Sequence, residues 1–326
     1  PRAGAPRCLA PGLATTCAFG DVAFRPPGQR LLDAVTAGAV RGAGVGFGHP
    51  VLWKAARGFA PPAPRPVAHF LSLGVGEYKA AARRIRTEAA RLGVFDELHV
   101  YEDFEFASCQ AGCPWQRHLD AWQRGGDRVA GFGWWKPVLC RRHLLSPKIP
   151  WRSGLLVFSD AGNHLWKEAK PSWVEALKAM ASYDILAVLD DFAEARFTKR
   201  LTLELFTGGP LRGTGAAREG QFASRLFVMR KTRTTMRLLA AWGALVRDVA
   251  LVDESPHPAG LGERVGFAAH RHEQSVWSLL LKCAILGKAI PLGLGRAVSV
   301  NLSARVLTLV SDVEAAALAD FARDRA

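Results

Sequence analysis

From Val67 onward the chain alternates between short apolar runs and amphipathic stretches of helical period, and few folds satisfy that rhythm. Val67–Leu73 (VAHFLSL) reads as a buried strand, with Gly74 and Gly76 making a turn after it. Tyr78, Ala82, Ile85, Ala89 and Leu92 then recur at helical spacing, Arg83, Arg84, Arg86 and Arg91 occupy the other faces, and Gly93 ends the helix. Residues 97–102 (ELHVYE) and 154–159 (GLLVFS) are the next strands, and a helix begins near Trp134. Further helices are expected over 171–182, 198–206, 234–248 and 272–285, with strands at 184–189 and 222–229 between them. Strand–helix alternation of this kind predicts an α/β sandwich: a central, mostly parallel sheet flanked by helices, with ligands at the carboxyl ends of the strands.

Residues 1–66 obey a different rule. They hold ten of the 19 prolines, eight Lys or Arg, and only Asp21 and Asp33 as acids. We read them as a flexible basic Pro/Gly-rich extension ahead of an α/β domain at 67–326. Gly42-Ala-Gly-Val-Gly46 is no phosphate-binding P-loop, because no Gly-Lys-Ser/Thr follows it.

The 326 residues are 49% hydrophobic, enough for a large core, and carry a formal charge of +14. That charge favours an anionic partner such as a phosphorylated substrate, a nucleic acid or an acidic membrane surface. No helix-turn-helix, zinc-finger or RNA-binding signature appears, so nucleic acid is not the expected partner. The six cysteines lack zinc-finger spacing and read as free buried thiols, with one disulfide open in an oxidising compartment, and Asn301-Leu302-Ser303 is a lone glycosylation sequon. No run of 18 apolar residues exists to span a membrane. With Pro1 as first residue, cytoplasm and an endomembrane lumen reached through a removed anchor both stay open.

Four stretches carry groups with chemistry. Asp160-Ala161-Gly162 places a carboxylate just past a strand, where two small residues let a metal ion and a diphosphate approach the backbone. A turn aspartate or helix cap has the same appearance. His270-Arg-His272-Glu273-Gln274 crowds the first turn of an apolar helix, where imidazoles and carboxylates bind metal, shuttle protons or simply cap. Trp134-Trp135-Lys136-Pro137 offers an indole to a flat ring and an ammonium to a phosphate, or an aromatic core. In Glu194–Phe206, Thr198 is a candidate cap, and Lys199 and Arg200 are either solvated charges or anion contacts.

Taken in order, the blocks FLSLGVGEYKAAARRIRTEAARLGVFDELHVYE (70–102), GFGWWKP, LLVFSDAG, ARFTKR, FVMRKT (227–232) and HRHEQS resemble a family of glycosyltransferases of bacteria, algae and large viruses, similar to the GT-A class of nucleotide-diphospho-sugar transferases. The resemblance spans about residues 67–290. It implies a GT-A-like fold, a nucleotide-diphospho-sugar donor and a glycan or glycoconjugate acceptor. It implies that Ser72, Gly74, Gly76, Tyr78 and Arg84 cradle the nucleotide, with Trp135, Lys136, Asp160, Ala161, Gly162, Thr198, Lys199 and Arg230 around the diphosphate and sugar. It implies a divalent cation, Mn²⁺ or Mg²⁺, on Asp160 with His270 or His272 as helper, and Glu273 and Gln274 as catalytic groups, in the retaining sense. The usual Asp-x-Asp is reduced here to Asp-Ala-Gly. In a metal-free site Lys136, Lys199 and Arg230 would neutralise the leaving diphosphate. A catalytically inactive sugar-binding scaffold and a basic nucleic-acid-associated protein are the competing readings.

Overall fold

The computed structural model describes residues 66–104, 115, 118, 120, 132–286, 289–291, 299–301 and 306–310. The expected extension at 1–66 lies, Pro66 aside, outside these residues, as do Cys8, Cys17, Cys109 and Cys113.

The α-helices and strands with described bounds follow in chain order: β1 (Val67–Leu73), α1 (Lys79–Leu92), β2 (Glu97–Tyr101), α2 (Trp135–Leu145), β3 (Gly154–Ser159), α3 (Lys170–Ala179), β4 (Ile185–Ala193), α4 (Glu194–Phe197), α5 (Arg200–Thr207), β5 (Gly220–Arg230), α6 (Arg233–Val246), α7 (His272–Ile285), β6 (Ala289–Pro291), β7 (Ser299–Asn301) and β8 (Val306–Val310). Six strands form one sheet in the order β2-β1-β3-β5-β4-β8. β1 runs parallel to β2 and β3, and β4 parallel to β8, while β5 runs antiparallel between β3 and β4. β6 and β7 pair antiparallel apart from it.

Both faces of the sheet are covered, which is why the central strands read as unbroken apolar runs. On one face Leu71, Leu156, Phe158, Ile185, Phe227 and Met229 pack under α2, α5, α6 and α7. On the other, Phe70, Leu155, Val157, Leu186 and Val228 pack under α1 and α3. Each such side chain contributes about 1.5–3 kcal/mol when fully buried, so these two cores dominate the stability of the sandwich. Cys140 and Cys283 are buried free thiols within the first core.

The expected mixed α/β sandwich is present. Gly93 caps α1 in the left-handed conformation, φ 61°, as its position predicted. The helix expected over 198–206 is α5, which starts two residues later at Arg200, and α4 is a separate turn before it. Thr198 and Lys199 are extended at the break, ψ 123° and 153°, and Thr198 turns its hydroxyl inward onto Glu194 instead of capping α5. β6, β7 and β8 are additions to the expected elements. Among the described residues no helix is long and apolar enough to cross a membrane.

The direction of β5 decides the site. Because it opposes β3 and β4, its first half, Gly220–Arg225, lies at the carboxyl ends of those strands, and its last residue, Arg230, lies opposite Leu155 at their amino ends.

Candidate functional site

Asp160 sits directly after β3, with its backbone N–H donating to Arg225 O on β5 (2.8 Å). Three features shape the turn it opens. The Asn163 amide donates to Ser159 Oγ (3.0 Å) and Arg225 O (2.8 Å). Arg84 on α1 donates to Ala161 O (2.9 Å) and pairs with Glu88 (3.1 Å). Ala161 also presses on Gly74: a Cβ on Gly74 would lie 3.0 Å from Ala161 Cβ and 2.4 Å from Tyr78 O, so only glycine lets the β1 turn meet the β3 turn. Gly162 by contrast borders open space.

Behind Asp160 stands Lys136, in the first turn of α2. Its Nζ lies 3.1 Å from Asp160 Oδ1, 3.2 Å from Oδ2 and 2.6 Å from Glu273 Oε1 in the first turn of α7. Ser224 on β5 completes the cluster, 3.3 Å from Lys136 Nζ and donating to Glu273 Oε1 at 2.8 Å. Lys136 and Glu273 side chains are each 4% exposed, whereas Asp160 is 34% exposed at the mouth. Crowding by protein atoms pushes the Asp160 carboxyl above the usual aspartate range; Lys136 pulls it down and Glu273 pushes it up. Burial alone would lower the Lys136 ammonium, but the two carboxylates outweigh it and raise it, so Lys136 stays charged. Gly133 makes room for this: it adopts φ +73°, and a Cβ there would lie 2.3 Å from Glu273 Cδ.

A buried polar chain continues from the cluster. Gln274 accepts from Ser224 N–H (3.4 Å) and donates to Gln221 (3.1 Å). Gln221 in turn donates to Thr198 (2.9 Å), Ser275 (3.3 Å) and Glu194 (3.3 Å). Glu194 pairs with Lys282 at 3.1 Å, both side chains fully buried. At the rim Arg225 holds Asp190 through two bonds of 2.8 and 3.1 Å, and Arg271 stacks 3.6 Å over Phe192.

Thus Asp160, Lys136, Glu273 and Gln274 come together, with Gly74 and Ala161 against them. Several expectations need correction. Glu273 and Gln274 are buried and bonded to protein partners, Glu273 through Oε1 to Lys136 and Ser224, and Gln274 to Ser224 and Gln221. Trp135 is 5% exposed and packs beside Phe158, leaving no indole face for a sugar. Lys199 is spent on Asp253 (2.8 Å) and the carbonyls of Asp253 and Ser255, and therefore fixes that loop. Arg230 bonds Asp184 and Ala181 O at the opposite end of the sheet, because β5 is antiparallel. Tyr78 is 47% exposed next to Gly76, and Ser72 is buried with no partner for its hydroxyl among the described residues.

The expected metal set does not assemble into three converging ligands: among the described residues no such group includes Asp160, and His270 has no free ring nitrogen, whereas His272 keeps Nε2 unused. His270 uses both ring nitrogens, Nδ1 accepting from Lys199 N–H (3.3 Å) and Nε2 donating to Leu251 O (3.0 Å). Burial, then His272, pushes it down to about 3, so it is a neutral structural imidazole. His272 donates Nδ1–H to Val252 O (2.8 Å) from a left-handed backbone, φ 48°. Lys136 already occupies the inner side of both Asp160 oxygens. The described side chains whose ligand atoms do converge, within 4.8 Å, are His69, Glu97 and His99.

Sequence reasoning missed Gln221, Ser224, Arg225, Asp190 and Gly133. The signal was present in part: Gln221 and Ser224 interrupt an apolar strand, and Asp190 follows the run Ile185–Leu189 as Asp160 follows Leu155–Phe158.

No protein-family model matches the chain, and no curated protein matches it. Among solved structures, mouse xyloside xylosyltransferase 1 in its apo form aligns over 66% of this chain and 81% of that one, at 14% identity and a TM-score of 0.31.

Proposed function

We propose that the chain is a glycosyltransferase that takes a nucleotide-diphospho-sugar donor and passes the sugar to an acceptor hydroxyl. The single observation behind this reading is the Lys136 bridge. It joins the Asp-Ala-Gly turn, the Trp-Trp-Lys-Pro helix and the His-Glu-Gln helix, three blocks of the family resemblance, at the carboxyl end of a mostly parallel sheet. That end is where such sheets bind ligands.

In this reading Asp160 is the catalytic residue, the exposed member of the cluster. As the glycosyl C1–O bond breaks, the acceptor oxygen bonds to C1 and its proton passes to the departing nucleoside diphosphate, while positive charge grows on the sugar ring. An ionised Asp160 beside it stabilises that charge more than it stabilises the neutral ground state. Lys136 and Glu273 are positioning residues. One ammonium shared by two carboxylates fixes the Asp160 rotamer and leaves net negative charge facing the ring. The nucleotide lies along the β1 turn, over Gly74, Gly76 and Tyr78, with Arg84 holding the Ala161 carbonyl as the floor. No step in this reading runs through a metal at Asp160, where Lys136 already supplies the cation on both carboxylate oxygens.

Thermal melting with a panel of nucleoside diphosphates tests the reading. A ligand at 100 times its Kd adds about 2.7 kcal/mol of stability, and that gain is expected to persist in EDTA. Release of free sugar from the matching nucleotide-sugar is expected to fall at least ~100-fold in Asp160→Asn, which by barrier arithmetic is about 2.7 kcal/mol. Absence of any nucleotide shift would overturn the transferase reading. A shift without sugar release would replace it with a binding-only domain.

A further inference from the structure

At the other end of the sheet, β1 and β2 bring three metal-ligating side chains onto one face. The parallel register sets His69 opposite Glu97 and Leu71 opposite His99, so all three point toward the layer of α2. His69 Nδ1 lies 3.2 Å from His99 Nε2, His99 Nε2 lies 3.2 Å from Glu97 Oε2, and His69 Nδ1 lies 3.7 Å from the same oxygen. A tetrahedral zinc-class ion bound at about 2.0–2.2 Å holds its donor atoms roughly 3.3–3.5 Å apart. The observed triangle brackets that spacing before any ion is added.

Hydrogen bonding alone serves the triangle poorly. The three facing atoms are all lone-pair donors, and one shared proton satisfies at most the contacts of one nitrogen. The surroundings resemble an outer shell. The His69 ring bonds the Lys148 backbone, the His143 ring lies 4.5 Å from that of His99, and Tyr101 OH bonds His143 Nε2 at 2.9 Å. His69 is buried while the Glu97 and His99 side chains are 33% and 24% exposed, which leaves an entry path and an open fourth position. Lys148, 66% exposed, holds Glu97 at 3.2 Å and is the competing cation.

We propose that His69, Glu97 and His99 form a divalent-metal site of the zinc class, with water as the fourth ligand, pinning the edge strand β2 to β1. His69 pairs with Leu156, four residues before Asp160, so the site lies about 13 Å down the strands from the candidate active site. It is independent of the transferase reading.

The test is titration of the chelator-stripped full chain with Co²⁺, followed by visible absorption and displacement by Zn²⁺. One Co²⁺ per chain with a four-coordinate spectrum is expected. Glu97→Gln and His99→Gln should each weaken it by about 10-fold or more, since even outer-shell losses cost 10–100-fold. Lys148→Met should tighten it, and Asp160→Asn should leave it unchanged. Circular dichroism of the metal-free variants checks that they fold. No stoichiometric Co²⁺ binding would overturn the proposal, as would a Co²⁺ spectrum that survives in folded His99→Gln or disappears in Asp160→Asn.

Discussion

Lys136 shows how much rests on one side chain. It is buried, charged and shared by Asp160 and Glu273, so removing it strands Glu273 as an unpaired carboxylate inside the protein. Breaking one partner out of such a pair costs about 3–5 kcal/mol, and Lys136→Met is expected to lose that much in urea unfolding. Gly133→Ala tests the same cluster from its other side. The substitution forces a side chain into φ +73° and into the space of the Glu273 carboxylate. The backbone strain costs about 1–3 kcal/mol, and the displaced Glu273 is expected to release Asp160, so sugar release should fall while the chain still melts cooperatively. Unchanged turnover in a folded Gly133→Ala would show that Glu273 does not position Asp160.

At the scale of elements, the contact between β5 and α7 is polar where neighbouring contacts are apolar. Gln221 and Ser224 on the strand meet Glu273, Gln274 and Ser275 on the helix, and the Ser278 hydroxyl accepts from Phe222 N–H at 2.8 Å. These directional bonds define one register of α7 over the sheet, and that register is what delivers Glu273 to Lys136. The far end of the chain is the fully buried Glu194–Lys282 pair. Lys282→Met is expected to cost about 3–5 kcal/mol because it leaves Glu194 uncompensated. Its surface counterpart, Lys178 with Glu175, is over 60% exposed on both sides, and Lys178→Ala should stay within about 0.5 kcal/mol. Equal losses in the two variants, read from urea midpoints, would contradict this account.

For the whole molecule, acid is the informative perturbant. Burial pushes His143 down to about 4 and His270 down to about 3, from an ordinary value of 6.5. Groups lowered in the fold bind fewer protons there than in the unfolded chain. Their contribution is complete above about pH 6.5 and is lost as pH falls through the folded values. Asp160 works in the opposite sense: its raised carboxyl disfavours the fold as it ionises with rising pH. Stability should therefore decline below pH 6.5, with a shallower slope in His270→Gln, whose amide still reaches Leu251 O without acquiring charge. Parallel slopes for the two proteins in thermal melts between pH 6.5 and 4 would refute the assignment. The sandwich itself was legible in the chain: apolar runs at 67–73 and 154–159, helical spacing from Tyr78 to Leu92 and the Gly93 stop are local signals, and local signals specify elements. The place of Asp160 just past a strand was legible for the same reason. Strand direction was not, because pairing across β3, β5 and β4 joins residues 27 to 75 positions apart and no local pattern encodes which way β5 runs. That direction brought Ser224 to the site and removed Arg230 from it. Partnership was equally illegible: Lys136 and Lys199 are the same residue type in sequence, yet one meets the candidate site and the other is consumed by Asp253, because hydrogen-bond satisfaction is settled only when distant segments pack.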